Sequence, residues 1–217
     1  MTNGKQLKNA NLKEKCKGDI VKHSFDTSKQ NVFFTSDTHF WHKNIITYCN
    51  RPFNTVEEMN EAIIENWNSV VAKNDIVFHL GDFGFASPTK IKEIVSRLNG
   101  HIWLIAGNHD WKMLTSSIIE ECFEYVSQQA YIHVDGQSIL LNHFPMLCYS
   151  GVYRDKPVWQ LFGHVHTSPT SEGADTSRMS VKYATQYDVG VDNNNYTPVS
   201  FSEVKAIIAN DIFNKNK

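Results

Sequence analysis

A chain of 217 residues, 41% hydrophobic and 12% aromatic, can bury one substantial core and is too short for two comfortable enzymatic domains. Its formal net charge of -2 supplies no overall field to recruit nucleic acid or an anionic membrane, so an anionic substrate has to be drawn locally. No apolar run approaches the roughly 20 residues of a spanning helix, which excludes an integral α-helical membrane protein.

Residues 1–30 are rich in lysine, asparagine and serine and poor in large apolar groups. That is the composition of a polar N-terminal extension: a solvated arm, a surface helix or a basic contact for a polyanion. Globular composition begins at Asn31, which predicts a single domain over residues 31–217. The four cysteines, Cys16, Cys49, Cys122 and Cys148, are widely spread, form no C-x-x-C pair and follow no signal-like segment, the pattern of free thiols in the cytoplasm.

From there, strands and helices alternate. "NVFFTSDTH" carries a short apolar run, the mark of a buried strand, into Asp37 and His39. His42 follows, at a helix start, on the surface or against substrate, and then Arg51 in "CNRPF", which can grip a phosphate oxygen with two donors or close an ion pair. "TVEEMNEAIIENWNSVVAK" predicts a helix capped by Thr55, with Glu58 completing a capping box and Val56, Met59, Ile63, Trp67 and Val70 on the inward face. "DIVFHLGDF" is a second strand ending in Asp82, its His79 read as a core histidine.

"SPTKIKEIVSRLNG" predicts a helix with Ser87 as cap, Pro88 at its first position, Ile91, Ile94, Val95 and Leu98 inward, and Asn99–Gly100 as the stop. "HIWLIAGNHD" runs a third strand into Asn108, His109 and Asp110, "SILLNHFP" a fourth into His143, and "VWQLFGHVH" a fifth into His164 and His166. Tyr149, Arg154 and Lys156 lie between the last two and could line the mouth of a site. Residues 167–180 have the small, polar makeup of a loop that could cover substrate or do nothing for chemistry. "SVKYATQYDVGVD" reads as strand-rich, and a last helix follows Ser200, with Glu203 closing a capping box. Strands alternating with helices imply an α/β fold whose sites collect beyond the carboxyl ends of the strands, with some antiparallel pairing or a second sheet late in the chain.

A single Asp or His at a strand end is more often structural than functional, and "GNHD" alone could be a turn. Gathered in one place, so many desolvated polar groups are costly unless something pairs with all of them, and a metal centre does. Imidazole and carboxylate donors suit Mn, Fe, Zn or Ni rather than Ca or Mg alone, and the donors outnumber what one tetrahedral ion requires. Two divalent ions would bring more charge than Asp37 and Asp82 return, leaving a surplus to hold hydroxide and attract a phosphate oxygen.

"DTH" at 37–39, "GDF" at 81–83, "GNHD" at 107–110, His143 in "NHFP" and "GHVH" at 163–166 resemble, in order, the motif set of the calcineurin-like metallophosphoesterases. "SDTHFWHKNIITYCNRPF" and "DVGVDNNNYTPVSFSEV" further resemble the small bacterial and phage members. The resemblance implies a four-layered α/β/β/α sandwich. It implies two divalent transition-metal ions, manganese first with iron, zinc or nickel as alternatives. Asp37, His39 and His166 would bind one ion, Asn108, His143 and His164 the other, and Asp82 would bridge.

The activity implied is a phosphodiesterase or phosphomonoesterase, in which a hydroxide bridging the metals attacks phosphorus in line. His109 would stabilise or protonate the leaving alkoxide, and Asp110 would orient its ring or raise its pKa. The expected partner is a small phosphate-ester substrate. The rival readings are a nuclease, for which the lysine-bearing extension speaks, and a non-catalytic interaction scaffold, against which every matched position is filled.

Overall fold

Strands buried on both faces carry apolar residues at consecutive positions, and this chain places them in one sheet after another. The structure, a computed structural model, describes residues 21–119, 121–167 and 176–215. In chain order its elements are β1 (Val21–Phe25), β2 (Val32–Thr35), α1 (Lys43–Tyr48), α2 (Val56–Val70), β3 (Ile76–His79), α3 (Pro88–Arg97), β4 (His101–Ile105), β5 (Tyr125–Ser127), β6 (Gln129–Val134), β7 (Gln137–Asn142), β8 (Trp159–Phe162), β9 (Gln186–Asp188), β10 (Val199–Ser200) and α4 (Phe201–Lys215). The strands form two five-stranded sheets, ordered β10-β2-β3-β4-β5 and β1-β6-β7-β8-β9. Pairing is parallel except where β10 meets β2 and where β6 and β7 form a hairpin.

The two-residue period of a strand sorts the core into two layers. Phe33, Val77, Ile102 and Leu104 point from the first sheet to α1, α2 and α3, where they meet Ile45, Met59, Ile63, Trp67, Ile91 and Ile94. Their neighbours Val32, Phe34, Ile76, Phe78 and Ile105 point the other way, against Ile132, Ile139, Leu141 and Leu161 of the second sheet. Helix α4 adds Phe201, Val204 and Ile208 to this second core, and it packs beside β2, β9 and β10. The expected sandwich is thus borne out as a mixed α/β fold of two parallel-rich sheets and, among the described residues, four α-helices.

Helix starts behave largely as their sequences dictate. Thr55 accepts the Glu58 amide at 3.1 Å, while the Glu58 carboxylate reaches one residue further back than a capping box requires, to the Asn54 amide at 2.8 Å. The buried face of α2 is Met59, Ile63, Ile64 and Trp67; Val70 is 41% exposed, because the helix ends there and Val71 enters the core instead. In α3, Pro88 takes the first turn and Ile91 and Ile94 are buried, but Ser87 makes no side-chain cap bond. At α4 the Ser200 amide donates to the Glu203 carboxylate at 2.8 Å and the Glu203 amide to Ser200 Oγ at 3.3 Å, the reciprocal box the sequence predicts.

Two expectations change. Residues 21–25, grouped by composition with the polar extension, form β1, whose backbone pairs in parallel with β6 and so belongs to the second sheet; residues 1–20 lie outside the described residues. The segment expected to be strand-rich, from 180 to 192, contributes only the three residues of β9, flanked by the 3-10 turns Thr176–Val181 and Val191–Asn193. Of the loop over 167–180, residues 168–175 lie outside the described residues. None of the described helices is long and apolar enough to cross a membrane.

Candidate metal centre

Parallel strands β2, β3 and β4 end at the same edge of their sheet, so the residues just past them meet. Asp37 follows β2, Asp82 follows β3, and Asn108 with His109 follow β4; from the second sheet, His143 follows β7 and His164 follows β8. The chain turns abruptly at these points: Asp37, His39, Asp82, His164 and His166 all have positive φ, between 47° and 70°. Left-handed backbone at non-glycine residues is uncommon and costs energy, and its concentration here aims side chains at one spot.

Asp37 is fully buried. Its Oδ2 accepts the His164 amide at 2.9 Å, its Oδ1 has no partner, and His166 Nε2 lies 3.8 Å from that Oδ1. His39 Nε2 is likewise buried without a partner, 3.7 Å from Asp82 Oδ2. On the other side of Asp82 Oδ2, His143 Nε2 stands at 3.5 Å, and Asn108 Oδ1 lies 3.1 Å from the same His143 nitrogen. Donor atoms of Asp37, His39 and His166 fall within 4.8 Å of one another, as do those of Asp82, His143 and His164. All seven residues singled out as ligands therefore converge, and Asp82 faces both groups.

The outward nitrogens of these rings are fixed. His143 Nδ1 donates to Leu80 O at 2.7 Å, and His166 Nδ1 donates to Asp192 Oδ2 at 2.8 Å, so each ring turns Nε2 inward, where a cation would replace its proton. His39 Nδ1 meets His42 Nδ1 at 3.2 Å, and donation from His39 leaves its Nε2 lone pair free. Burial, together with the charges of His166 and Arg51, holds the His39 pKa well below the usual imidazole value and keeps the ring neutral. His143 and His166 go the other way. Burial opposes their charge, yet the Asp82 hydrogen bond and the Asp37 and Asp82 carboxylates raise His143 to about 9, and Asp37 with Asp192 raises His166 to about 11. A site that draws protons onto buried imidazoles is a site short of positive charge. Two buried carboxylates, two buried polar atoms without a hydrogen-bond partner and imidazole Nε2 atoms turned toward them fit divalent cations.

Asp192 escaped the sequence reading, although it sits in the "DVGVDNNN" block. It is almost fully buried and is gripped by Arg51 through two bonds of 2.8 Å, while the same guanidinium donates to Asp37 O at 2.7 Å and Thr38 O at 3.1 Å. Arg51, expected as either a phosphate contact or an ion-pair partner, is therefore a buried ion pair that braces the loop bearing Asp37. Cys49 also lies near His166 and Asp192, but an ion there would have to break the Arg51 and His166 bonds, so this trio supports His166 rather than offering a separate site.

Asp110 likewise has a task different from the expected one of orienting His109. Its buried carboxylate accepts the amides of Asp82 and Gly107 at 2.8 Å and of Phe83 at 2.9 Å, tying the second and third motif loops together. Burial raises its pKa to about 6 against those bonds. His109 is anchored by its own amide, which donates to Asp82 Oδ1 at 2.9 Å; its side chain is 45% exposed, with Nε2 4.0 Å from Asp82 Oδ2.

His42 is a half-buried residue at the start of α1, touching His39 and stacked on Phe85 with ring centroids 4.0 Å apart. Phe85, also missed, lies 4.6 Å from the His109 ring, and Phe144 lies 4.6 Å from the His164 ring, so an aromatic wall flanks each end of the centre. His79 is the core histidine it was read as: the Gly81 amide donates to its Nδ1 at 3.2 Å and its Nε2 bonds Thr38 Oγ1 at 3.0 Å.

The glycines of these motifs are demanded by crowding. A Cβ on Gly163 would collide with Ser36 and the Asp37 carboxylate, and one on Gly107 with the Asp82 carboxylate and backbone. Of the residues placed between the last two motifs, Tyr149 bonds Thr185 Oγ1 at 2.6 Å and Lys156 donates to Gly136 O at 2.7 Å, so both serve loop structure.

A family profile described as the calcineurin-like phosphoesterase superfamily domain matches residues 31–181. An uncharacterized protein of Methanocaldococcus jannaschii is 35% identical over 185 residues, covering 83% of this chain and 93% of that protein. The gene 66 protein of Mycobacterium phage L5 is 33% identical over 132 residues, covering 53% of this chain and 63% of its own length. Among solved structures, a protein of unknown function from Aquifex aeolicus aligns with a TM-score of 0.61 at 26% identity, over 82% of this chain and 99% of that one.

Proposed function

The chain belongs to the calcineurin-like phosphoesterase superfamily, and from that premise we propose that it is a hydrolase of phosphate esters working with two divalent transition-metal ions, manganese first. The reading is carried by Asp37 Oδ1 and His39 Nε2, buried polar atoms that have no hydrogen-bond partner among the described residues. Asp37, His39 and His166 would hold one ion, Asn108, His143 and His164 the other, and Asp82, lying between the two groups, would contact both. When bound, the ions would neutralise phosphoryl oxygens and lower the pKa of water toward neutrality.

The chain's own residues do the rest. Leu80 O and Asp192 hold the tautomers that present Nε2 of His143 and His166, and His42 contacts the Nδ1 side of the His39 ring. His109, fixed through its amide but with an open ring at the mouth, donates a proton to the departing alkoxide, a contribution of roughly 10²–10⁴ in rate. Asp110 keeps the loops of Asp82 and His109 at constant separation through its three backbone bonds.

The test is turnover by chelator-stripped protein reloaded with Mn, Ni or Zn on an aromatic monoester, an aromatic diester, a 2′,3′-cyclic nucleotide and single-stranded DNA. Metal-dependent cleavage of one of the esters is expected, and its rate on diester against monoester assigns the class. Inactivity on the whole panel with every metal would refute the reading.

A further inference from the structure

Beside the centre lies a cavity of about 550 Å³ that the metal chemistry does not use. His164 forms part of its wall, and the remainder is largely apolar: Phe144, Met146, Leu147, Val165, Met179 and Val181. Leu147 is 76% and Val181 67% exposed, an unusual cost for residues flanking one opening unless something apolar covers them. The one lysine in the lining is already engaged, its Nζ 3.0 Å from Asp211 Oδ2 and 3.2 Å from Gln186 O. The cavity thus presents apolar surface and a single metal-centre imidazole.

Its shape is built in. Two glutamines from the second sheet, Gln160 on β8 and Gln186 on β9, are buried beneath the 144–146 segment. The Met146 amide donates to Gln160 Oε1 at 3.1 Å, Gln160 Nε2 donates to Phe144 O at 3.0 Å, and Gln186 Nε2 donates to Met146 O at 2.8 Å and to Gln160 Oε1. Satisfied buried amides of this kind fix a loop in one conformation, so the wall carrying Phe144 and Met146 is pre-organised. A smaller cavity of about 180 Å³ shares Phe144 and is lined also by Asn108, Trp111, Gln128, Asn142 and His143.

We infer that the large cavity receives the alcohol portion of the phosphate ester and that this portion is uncharged, apolar and bulky, an aromatic ring or its equivalent. The inference rests on the reading of the neighbouring centre as a phosphoesterase site. A volume in the range of small-molecule pockets, roughly 300–1,000 Å³, is far more than a methyl or short polar alcohol would fill. Continuity through His164 and Phe144 places the apolar group next to the phosphorus rather than at a remote site.

The test is one of binding. Manganese-loaded full-length protein is titrated calorimetrically with phenylphosphonate and with methylphosphonate, non-hydrolysable anions that differ in the apolar group. Phenylphosphonate is expected to bind about tenfold more tightly or better, the gain from burying a ring in place of a methyl. Leu147→Asp and Val181→Asp, both at exposed positions and so compatible with folding, are each expected to bring the ratio close to one. Equal affinities in the unsubstituted protein, or a phenyl preference that survives both substitutions, would overturn the inference. Turnover plays no part in this comparison, so the two failures are distinct: inactivity on the ester panel would remove the functional reading and the ester as occupant with it, while equal phosphonate affinities in an active enzyme would remove the cavity's role alone.

Discussion

Asp192 and Arg51 illustrate how a residue with no reach to substrate can set the chemistry of one that has it. A carboxylate behind a ligating imidazole fixes its tautomer and raises its basicity, and loss of such a partner lowers metal affinity about 10–100-fold. Asp192→Asn should therefore weaken, by that factor, one of the manganese-binding steps in a calorimetric titration, and unchanged affinity at both would refute the assignment. Removing Arg51 as Arg51→Ala leaves Asp192 buried without its counter-ion, a loss of about 3–5 kcal/mol for breaking a buried pair; the urea midpoint should fall accordingly. For His109→Ala the expectation differs in kind: both metals stay, by elemental analysis, while kcat falls by about 10²–10⁴. Unchanged turnover in the metal-replete variant would reject the proton-donor role.

At the scale of elements, the strand ends carry the design. Each of β2, β3, β4, β7 and β8 runs to the shared edge, where β2, β3 and β8 are followed by left-handed backbone at a candidate ligand, and Gly107 and Gly163 permit the loops to touch. Gly163→Ala would push Ser36 and Asp37 aside, so it should keep the far-ultraviolet spectrum of the fold yet lose the ion held by Asp37; full metal content would contradict this. Helix α2, in contrast, contributes mainly stability. Its Thr55 cap is worth about 1 kcal/mol, which Thr55→Ala should remove in urea denaturation with no change in metal binding. The β6–β7 hairpin turns through Asp135 and Gly136, both with positive φ. "DG" between alternating strands is a strong hairpin signal that chain-order reading for strand ends passes over, because the turn holds no ligand.

For the whole molecule, the metal-free protein should lose stability as pH rises above 6.5. His143 and His166 have folded pKa values near 9 and 11, above the unfolded value of 6.5. The stability they contribute is thus complete below pH 6.5 and declines as pH rises through 9 toward 11. His79, lowered to about 3 by burial, works in the other direction, its contribution being lost as pH falls below 6.5 toward 3. Metal binding replaces the protons on His143 and His166, so manganese should abolish the alkaline decline. At a concentration near 100 times Kd it should also add about 2.7 kcal/mol at fixed pH. Thermal unfolding across pH 5–10 with and without metal checks both; a metal-free curve flat from pH 6.5 to 9 would contradict the first.

Apolar runs located Asp37, Asp82, Asn108, His143 and His164 at strand ends, and the resemblance of their motifs to the family's marked them as candidate ligands. The helices were legible because capping and 3.6-residue periodicity are local. What support each ligand receives was not legible. Asp192 is 26 residues from His166 and 141 from Arg51, and a sequence gives no distance between residues joined only by folding. Asp110 looked like a partner for its neighbour His109, yet backbone direction turned its carboxylate toward three amides instead. The sequence by itself determined the alternation of strands and helices and the polar residues that end the strands, since both are written in local periodicity and residue chemistry, while the sandwich and the grouping of those residues as metal donors followed from the resemblance of its motifs to the family's. Only the tertiary structure decided which lone pairs face inward, what holds them there and where an apolar cavity opens beside them, because those depend on packing between strands far apart in the chain.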